Sequence, residues 1–182
     1  MATKKWMLDA SHSDIQFKVK HLMITTVTGS FNTFSASVET EDDDISTAKI
    51  QFTADVNSIS TNNAQRDAHL KNSDFFDADV HPQLTFTSSK LEKVDGDDYK
   101  LYGTLTMRGV SKPVTLNVEF GGIISDPWGN TRAGYTVSGK VDRTAFGVSF
   151  GAVSDTGAIM LGHDVSIIAN VQFVAVAESI AA

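Results

Sequence analysis

The sequence contains no cysteine and only three prolines among its 182 residues. The absence of cysteine excludes thiol nucleophiles, zinc–thiolate sites and redox dithiols, although it fits a reducing and an oxidising compartment equally well. The scarcity of proline leaves extended segments almost uninterrupted, since proline is excluded from the interior of a sheet. A chain of this length buries roughly 70% of its unfolded surface, so the fold needs no disulfide or metal. We expect one domain over residues 1–182.

Positive charge is also scarce. The chain carries 15 Lys and Arg against 22 Asp and Glu, a net charge of −7, and its pI is about 5.1. No run of basic residues offsets this balance. Proteins that bind phosphate backbones or anionic lipid surfaces usually carry clustered Lys and Arg. The composition therefore predicts no nucleic-acid partner and gives no indication of binding to an anionic membrane.

Long hydrophobic runs are missing as well. The least polar stretch, residues 165–177, is interrupted by Ser166, Asn170 and Gln172 and falls short of the roughly 20 residues that a spanning helix needs. Two lysines near the N-terminus are not followed by the apolar segment of a secretory signal. We expect a protein that does not span a membrane, cytoplasmic as given and periplasmic if the chain is a processed form.

What the sequence has in abundance is alternation of apolar and polar residues, the pattern of strands with one buried face. About eight such segments follow one another, the clearest being residues 165–173. Turn signals such as Asp95-Gly96 and Arg108-Gly109 separate them. Successive short connections favour an antiparallel meander, which closes into a barrel or folds into a sandwich. The barrel is our prediction, and the fold class is all-β.

One segment, Thr61 to Ser73, lacks the alternation. Asn62 or Asn63 can cap a helix there, and Asp67 with Lys71 has the spacing of a favourable pair. A helix this short is marginal in water, so it must be held by packing. Leu70 and the pair Phe75-Phe76 supply the apolar contact, and the helix is expected to cover one end of the barrel.

Catalytic and metal motifs are weak. Gly147-Val148-Ser149-Phe150-Gly151 matches the G-x-S-x-G pattern, but the strand-to-helix context and the downstream acid and histidine of a hydrolase are missing. None of the five histidines has the spacing of a zinc site. The sequence predicts no catalytic residue, no metal ligand and no cofactor. Apolar inward faces with small residues such as Gly103 and Gly139 among them suit a ligand cavity and a packed core equally. From periodicity alone, a filled core is favoured, because a small barrel normally fills its interior with side chains.

The chain resembles the YceI-like, polyisoprenoid-binding family along nearly its whole length. The resemblance rests on several motifs taken together. They are Trp6-x-Leu8-Asp9-x-x-His12-Ser13-x-Ile15-x-Phe17-x-Val19-x-His21, Val27-x-Gly29-x-Phe31, Ser58-Ile59-x-Thr61, Arg66-Asp67-x-His69-Leu70-x-x-x-Asp74-Phe75-Phe76-Asp77, Pro82-x-x-x-Phe86-x-Ser88, Gly103-x-Leu105-Thr106-x-Arg108-Gly109-Val110 and Arg143-x-x-Phe146-Gly147.

This resemblance implies an extended, eight-stranded, lipocalin-like antiparallel barrel with a short helix capping one end, after about the fourth strand. It implies a non-enzymatic protein whose interior holds a long-chain isoprenoid lipid, an isoprenoid quinone, a polyprenyl phosphate or another long-chain lipid or amide. The expected ligand-binding residues are Phe17, Val19, Phe31, Phe34, Ile50, Phe52, Arg66, His69, Leu70, Phe75, Phe76, Phe86, Leu101, Leu105, Val137 and Ile167.

Within that set, Arg66 and His69 are available to a head group if the helix marks the mouth. The alternative for Arg66 and Asp67 is a helix-anchoring ion pair with backbone contacts, and this alternative is slightly favoured. Two other functions stay open: an enzyme acting on a hydrophobic substrate through His12, His69 or His163, and an interaction module, including a homodimer formed through an edge strand or the Trp128 loop. Transport, storage, stress protection and delivery would all use the same cavity.

Overall fold

The structure is a computed structural model that describes residues 3–148, 150 and 161–176. Within these residues it contains strands, one helix and three short 3-10 turns, which cover Ala10–His12, Val56–Ser58 and Arg143–Phe146. The strands and the helix are β1 (Thr3–Leu8), β2 (Asp14–His21), β3 (Thr25–Phe31), β4 (Phe34–Glu41), β5 (Asp44–Asp55), β6 (Ile59–Ser60), α1 (Ala64–Lys71), β7 (Gln83–Asp95), β8 (Asp98–Met107), β9 (Val110–Ser125), β10 (Thr131–Asp142) and β11 (Asp164–Ala175).

These strands form one closed antiparallel sheet. Three positions in the barrel wall are each shared by two consecutive strands: β1 with β2, β3 with β4, and β5 with β6. The other five positions are held by β7 to β11 in chain order. β11 closes the ring, because it pairs with β10 on one side and with both β1 and β2 on the other. The predicted eight-stranded antiparallel barrel is confirmed, and the eleven separate strands arise from the three interrupted positions.

Aspartate side chains cap the 3-10 turns at two of these interruptions. Asp9 precedes the 3-10 turn between β1 and β2, and its carboxylate accepts the backbone N–H of Ser11. Asp55 does the same for Asn57 between β5 and β6. A short acidic side chain that binds the backbone two residues on favours a turn over a continuing strand. Each aspartate therefore satisfies a backbone amide where the chain leaves the sheet.

The helix α1 lies at one end of the barrel, between the third and fourth wall positions rather than after the fourth strand. It covers Ala64–Lys71, fewer residues than predicted, and Asn63 is its N-cap, as one of the two predicted candidates. The Asp67 carboxylate accepts hydrogen bonds from the backbone N–H and hydroxyl of Thr61, at 2.8 and 2.6 Å, instead of pairing with Lys71. A local contact with a neighbouring turn has displaced the pair expected from helical spacing.

Glycines on the inner wall make room for neighbouring rings. A Cβ on Gly29 would lie 2.3 Å from the ring of Phe17, its cross-strand partner. A Cβ on Gly103 would lie 2.4 Å from the ring of Phe86 and 2.5 Å from the carbonyl oxygen of Thr87. Gly103 and Gly139 are small residues that suit a ligand cavity and a packed core equally in the sequence. In the structure, the space beside each is filled by Phe86 and Leu116, respectively.

We expect Gly103→Ala to lower the free energy of unfolding by about 1–3 kcal/mol, because the added methyl group must displace the Phe86 ring or the Thr87 backbone. Urea denaturation measures the change. The matched control is Gly134→Ala, where an added Cβ meets nothing within 4 Å and the change should stay within about 0.5 kcal/mol. Equal losses in the two variants would contradict the close-packing argument.

A charged cluster ties the β1–β2 break to the β9–β10 loop. The guanidinium of Arg132 lies 2.8 Å from the Asp9 carboxylate and 2.6 Å from the Asp126 carboxylate. Hydrogen bonds from Ser11, His12 and Arg132 hold the pKa of Asp9 well below its ordinary range. The Arg132 hydrogen bond is the main cause that lowers the pKa of Asp126 to about 2. Both aspartates are therefore held in the charged form.

The cluster predicts a pH dependence. Because the folded pKa values lie below the unfolded value of about 3.9, these aspartates stabilise the fold above about pH 4, and the stabilisation is lost as pH falls toward about 2. Arg132→Met should reduce the rise in unfolding free energy between these pH values, measured by urea denaturation at several pH values. Lys49→Met, which removes the same charge from an exposed site, should leave that rise unchanged; parallel losses in both variants would contradict the assignment.

Candidate functional site

The barrel encloses an apolar cavity of about 250 Å³. Every one of the eight wall positions contributes side chains to its lining, as do the helix region and the segment after β10. The alternation of each strand explains this arrangement, since residues two apart share one face. On β8, for example, Leu101 and Leu105 face the cavity, whereas Thr104 between them is exposed.

The interior is hollow rather than filled. Ile50, Phe52, Leu116, Val137 and Ile167 all line the cavity at the middle of the barrel, and each is only partly buried. The filled core favoured by periodicity alone is therefore wrong for this interior. Alternation determines which residues face inward, but their summed volume relative to the barrel decides whether space remains.

Most of the predicted ligand-binding residues lie on this cavity. The structure places these members of the predicted set in the lining: Phe17, Val19, Phe31, Ile50, Phe52, Leu70, Phe75, Phe76, Phe86, Leu101, Leu105, Val137 and Ile167. Phe34, Arg66 and His69 lie outside it. Phe34 is half-buried, and its ring packs against that of Phe52 with 6.4 Å between centroids. It supports a lining residue without reaching the cavity itself.

Several lining residues were missed. They include Ile15, Val38, Leu84, Leu91, Met107, Val114, Leu116, Val118, Tyr135, Val141, Arg143, Ala169, Val171 and Phe173. Most belong to the alternating runs, so extending each run in register would have found them. Among them Tyr135 carries a buried phenol, and burial raises its pKa to about 12. The phenol therefore stays neutral in the cavity wall.

The two residues expected at the mouth are engaged by the protein. Arg66 donates from Nε to the Thr61 hydroxyl and from Nη2 to the Thr61 carbonyl, each at 2.7 Å. His69 pairs with Asp74 at 2.8 Å, and its ring meets the rings of Phe75 and Phe150 edge-on. The geometry favours helix anchoring for Arg66 and shows the expected backbone contact, made to the Thr61 carbonyl. The Asp67 carboxylate binds Thr61 instead of forming the expected ion pair with Arg66.

Arg143 is a charged residue in the cavity wall at the helix end. It is 4% exposed, and burial lowers its pKa, against the opposing effect of Asp142. Its guanidinium donates to four backbone carbonyls, those of Gly162, Val148, Phe150 and Leu161, at 2.6–3.1 Å. A guanidinium stays protonated in proteins. Arg143 therefore joins the chain after β10 to the chain before β11 and places a positive charge beside the cavity.

Among the histidines considered for catalysis, His12 lacks triad geometry within the described residues. The Asp9 carboxylate and the Ser11 hydroxyl approach the same ring nitrogen of His12, Nδ1, at 2.7 and 3.2 Å, whereas a serine triad uses opposite nitrogens. His163 is exposed. Within the described part of the chain, no group of three or more His, Asp or Glu side chains could hold a metal ion. Ser149 and Gly151 of the G-x-S-x-G match lie outside the described residues.

The two ends of the barrel differ. At the end opposite the helix, Trp6, Val38, Ala133 and Phe173 form a buried cluster, and the Trp6 indole N–H donates to the Thr40 hydroxyl at 3.0 Å. Trp128, proposed as a dimer contact, is 79% exposed near this end, and its role in dimerisation stays a prediction. In residues 3–148, 150 and 161–176, no helix reaches the length and apolarity needed to cross a bilayer.

Comparison with protein families and curated proteins gives consistent results. The model of the YceI-like domain family matches residues 6–173. A UPF0312 protein of Pectobacterium atrosepticum is 40% identical over 148 residues, which cover 81% of this chain and 77% of that protein. A UPF0312 protein of Staphylococcus aureus is 37% identical over 166 residues, covering 91% and 94%.

Solved structures share the same barrel. Burkholderia cenocepacia BcnA superposes with a TM-score of 0.79 at 26% identity, covering 91% of this chain and 98% of that one. The YceI protein of Campylobacter jejuni gives 0.74 at 34% identity, covering 91% and 95%. A polyisoprenoid-binding domain from Saccharophagus degradans gives 0.69 at 16% identity, covering 94% and 98%, and supports the fold alone.

We expect Arg143→Met to destabilise the protein by on the order of 3 kcal/mol, because several backbone carbonyls lose their donor together. Thermal unfolding measures the loss, and hydrogen exchange should show it concentrated at residues 143–148 and 161–162. Arg143→Lys should recover only part of the stability, since an ammonium group cannot reproduce the planar fork. Full stability in Arg143→Met would contradict the anchoring role.

Proposed function

The chain belongs to the YceI-like domain family, and from this premise we propose that its barrel binds one long-chain polyisoprenoid or similar amphiphilic lipid. An isoprenoid quinone or a polyprenyl phosphate has the required chemistry. The observation that carries the proposal is the apolar cavity lined by every wall position of the barrel. The polyisoprenoid-binding domain from Saccharophagus degradans shares this fold.

The dimensions of the barrel set the binding mode. Strands of 10–13 residues that rise about 3.3 Å per residue and tilt by about 40° give a barrel roughly 25–33 Å tall. The volume of about 250 Å³ is near the lower limit of ligand pockets, which span about 300–1,000 Å³. A long isoprenoid therefore widens the cavity as it enters, and its longest forms bend or protrude.

Burial of the tail supplies the affinity. Each buried CH₂ contributes up to about 0.8 kcal/mol, so a few isoprene units suffice for tight binding before the cost of association is subtracted. Head groups are discriminated weakly because the lining offers few polar atoms. We place the head at the helix end, since the Trp6 cluster packs the opposite end and Arg143 supplies positive charge near the helix.

This function requires no catalytic step. Transport, storage and sequestration, including protection under stress, all follow from reversible binding of the lipid. The chemistry of the cavity is the same in the cytoplasm and in the periplasm, so the proposal holds for either compartment.

The direct test is to extract the purified, undenatured protein with organic solvent and identify the extract by mass spectrometry, with native mass spectrometry giving the stoichiometry. We expect one long isoprenoid or similar lipid per chain. If the purified protein contains no lipid and the apo protein takes up neither quinones nor polyprenyl phosphates from detergent solution, the proposal is overturned.

Two adjacent residues of β11 provide a matched pair of variants. Ile167 lines the cavity, whereas Ile168 is 37% exposed on the outer face. Ile167→Trp should lower lipid uptake at least tenfold because the larger ring occupies the cavity, and Ile168→Trp should leave uptake unchanged. Uptake is measured by quenching of a lipid probe, and circular dichroism checks folding. Val137→Phe serves as a second cavity-filling variant, and full uptake by folded forms of both would contradict the cavity assignment.

A further inference from the structure

The hairpin between β2 and β3 ends in three consecutive exposed apolar residues. Leu22, Met23 and Ile24 are 46%, 54% and 78% exposed. The pairing of β3 with β6 ends at Ser30, so the five residues from Thr25 to Gly29 carry the hairpin about 16 Å past that strand. Within the described residues, the outer edge of β3 has no strand partner from Thr25 to Gly29, whereas the β2 edge is bridged to Leu161 through His21. The apolar tip therefore lies exposed at the rim of the barrel.

The backbone of this tip does not favour the residues it carries. Leu22 and Met23 have φ values of +51° and +58°, and the Ile24 N–H donates to the His21 carbonyl at 3.1 Å. This is the geometry of a type I′ turn, in which Asn-Gly is strongly preferred. Bulky L-residues are strained in this conformation. Stability of the hairpin therefore gives no reason for Leu and Met, and exposure to water gives a reason against them.

The charge of the hairpin is opposite to that of the whole chain. Residues 15–38 contain no Asp or Glu, and Lys18 and Lys20 lie exposed on the outer face of β2. Lys20 is two residues from the turn, about 7 Å along the strand, within the Debye length of about 8 Å at physiological salt. The acidic turns at Glu41–Asp44 and Asp95–Asp98 lie at the other end of the barrel.

The hairpin also borders the cavity. Phe17 and Val19, on the inward face of β2, belong to the lining. The tip, helix α1 and Arg143 all lie at the same end of the barrel. The loop after α1 carries Asp74, Asp77 and Asp79, whereas the hairpin carries Lys18 and Lys20 and no acidic residue.

We propose that the β2–β3 hairpin tip docks on the surface of a bilayer that contains anionic lipid, with Leu22, Met23 and Ile24 inserted at the boundary between head groups and acyl chains. Apolar residues flanked by lysine are the chemistry that such an interface recognises. The inference rests on the proposed function and deepens it: docking places the helix end of the cavity beside the acyl chains, so an isoprenoid tail passes between bilayer and barrel with little exposure to water.

The experiment is vesicle flotation with the full chain, using phosphatidylcholine vesicles with and without 30% phosphatidylglycerol, both free of isoprenoid. We expect binding that is stronger to the anionic vesicles. Leu22→Asn combined with Met23→Gly should weaken binding at least tenfold, because it removes two apolar side chains. The same variant should fold at least as stably as the parent, because Asn-Gly suits the type I′ turn. Lys20→Gln should weaken binding to anionic vesicles about fivefold.

The control is Trp128→Ser, which removes an exposed apolar side chain distant from the hairpin and should leave flotation unchanged. Absence of binding to both vesicle types, or equal binding by the parent and the double variant, overturns the proposal. So does a double variant that changes only the monomer–dimer equilibrium in analytical ultracentrifugation, which would make the tip a contact between copies. Lipid content is measured separately in detergent solution. If the protein holds lipid but does not bind vesicles, only the docking proposal is overturned. If it binds vesicles but holds no lipid, only the proposal of lipid binding in the cavity is overturned.

Discussion

Closure of the sheet by β11 is the constraint on which the rest of the structure depends. β11 pairs with β10 over its full length and divides its other edge between β2, through residues such as Ile167 and Ala169, and β1, through Phe173. An open sheet would leave unpaired backbone groups along an edge strand. Once the ring is closed, the inward set of every strand must face the inward set of the others. The apolar cavity is the direct result of that closure combined with strict alternation.

Different interactions cover the two ends of the cavity, so the barrel is asymmetric along its axis. One end is packed by Trp6, Val38 and Phe173. The other is covered by a short helix and by a segment that Arg143 holds through backbone carbonyls. Hydrophobic packing has no directional requirement, whereas a forked guanidinium fixes the carbonyls it binds. The polar anchor thus lies at the helix end, where we propose that the lipid head group binds.

The sequence was sufficient to predict which residues form the wall of this barrel, but not whether the interior is hollow. Alternation placed Phe52, Leu105 and Ile167 inward because strand geometry has a fixed period of two. It could not predict that space remains among them, since that depends on the circumference and tilt of the closed ring. Local pattern also failed for Asp67, where helical spacing suggested a pair with Lys71, and the ion pair expected between Arg66 and Asp67 is likewise replaced, since both side chains bind Thr61. Thr61 becomes their partner only because the preceding turn brings it against the helix.

The interrupted strands distribute stiffness unevenly around the ring. All three interruptions fall on consecutive wall positions in the first third of the chain, whereas β7 to β11 run as continuous strands. Each interruption replaces ladder hydrogen bonds with local turns, and segments with fewer cross-strand bonds open at lower free energy. The barrel therefore has a rigid arc and a compliant arc. If the proposed lipid widens the cavity, we expect the compliant arc to give way while the rigid arc preserves the closed ring.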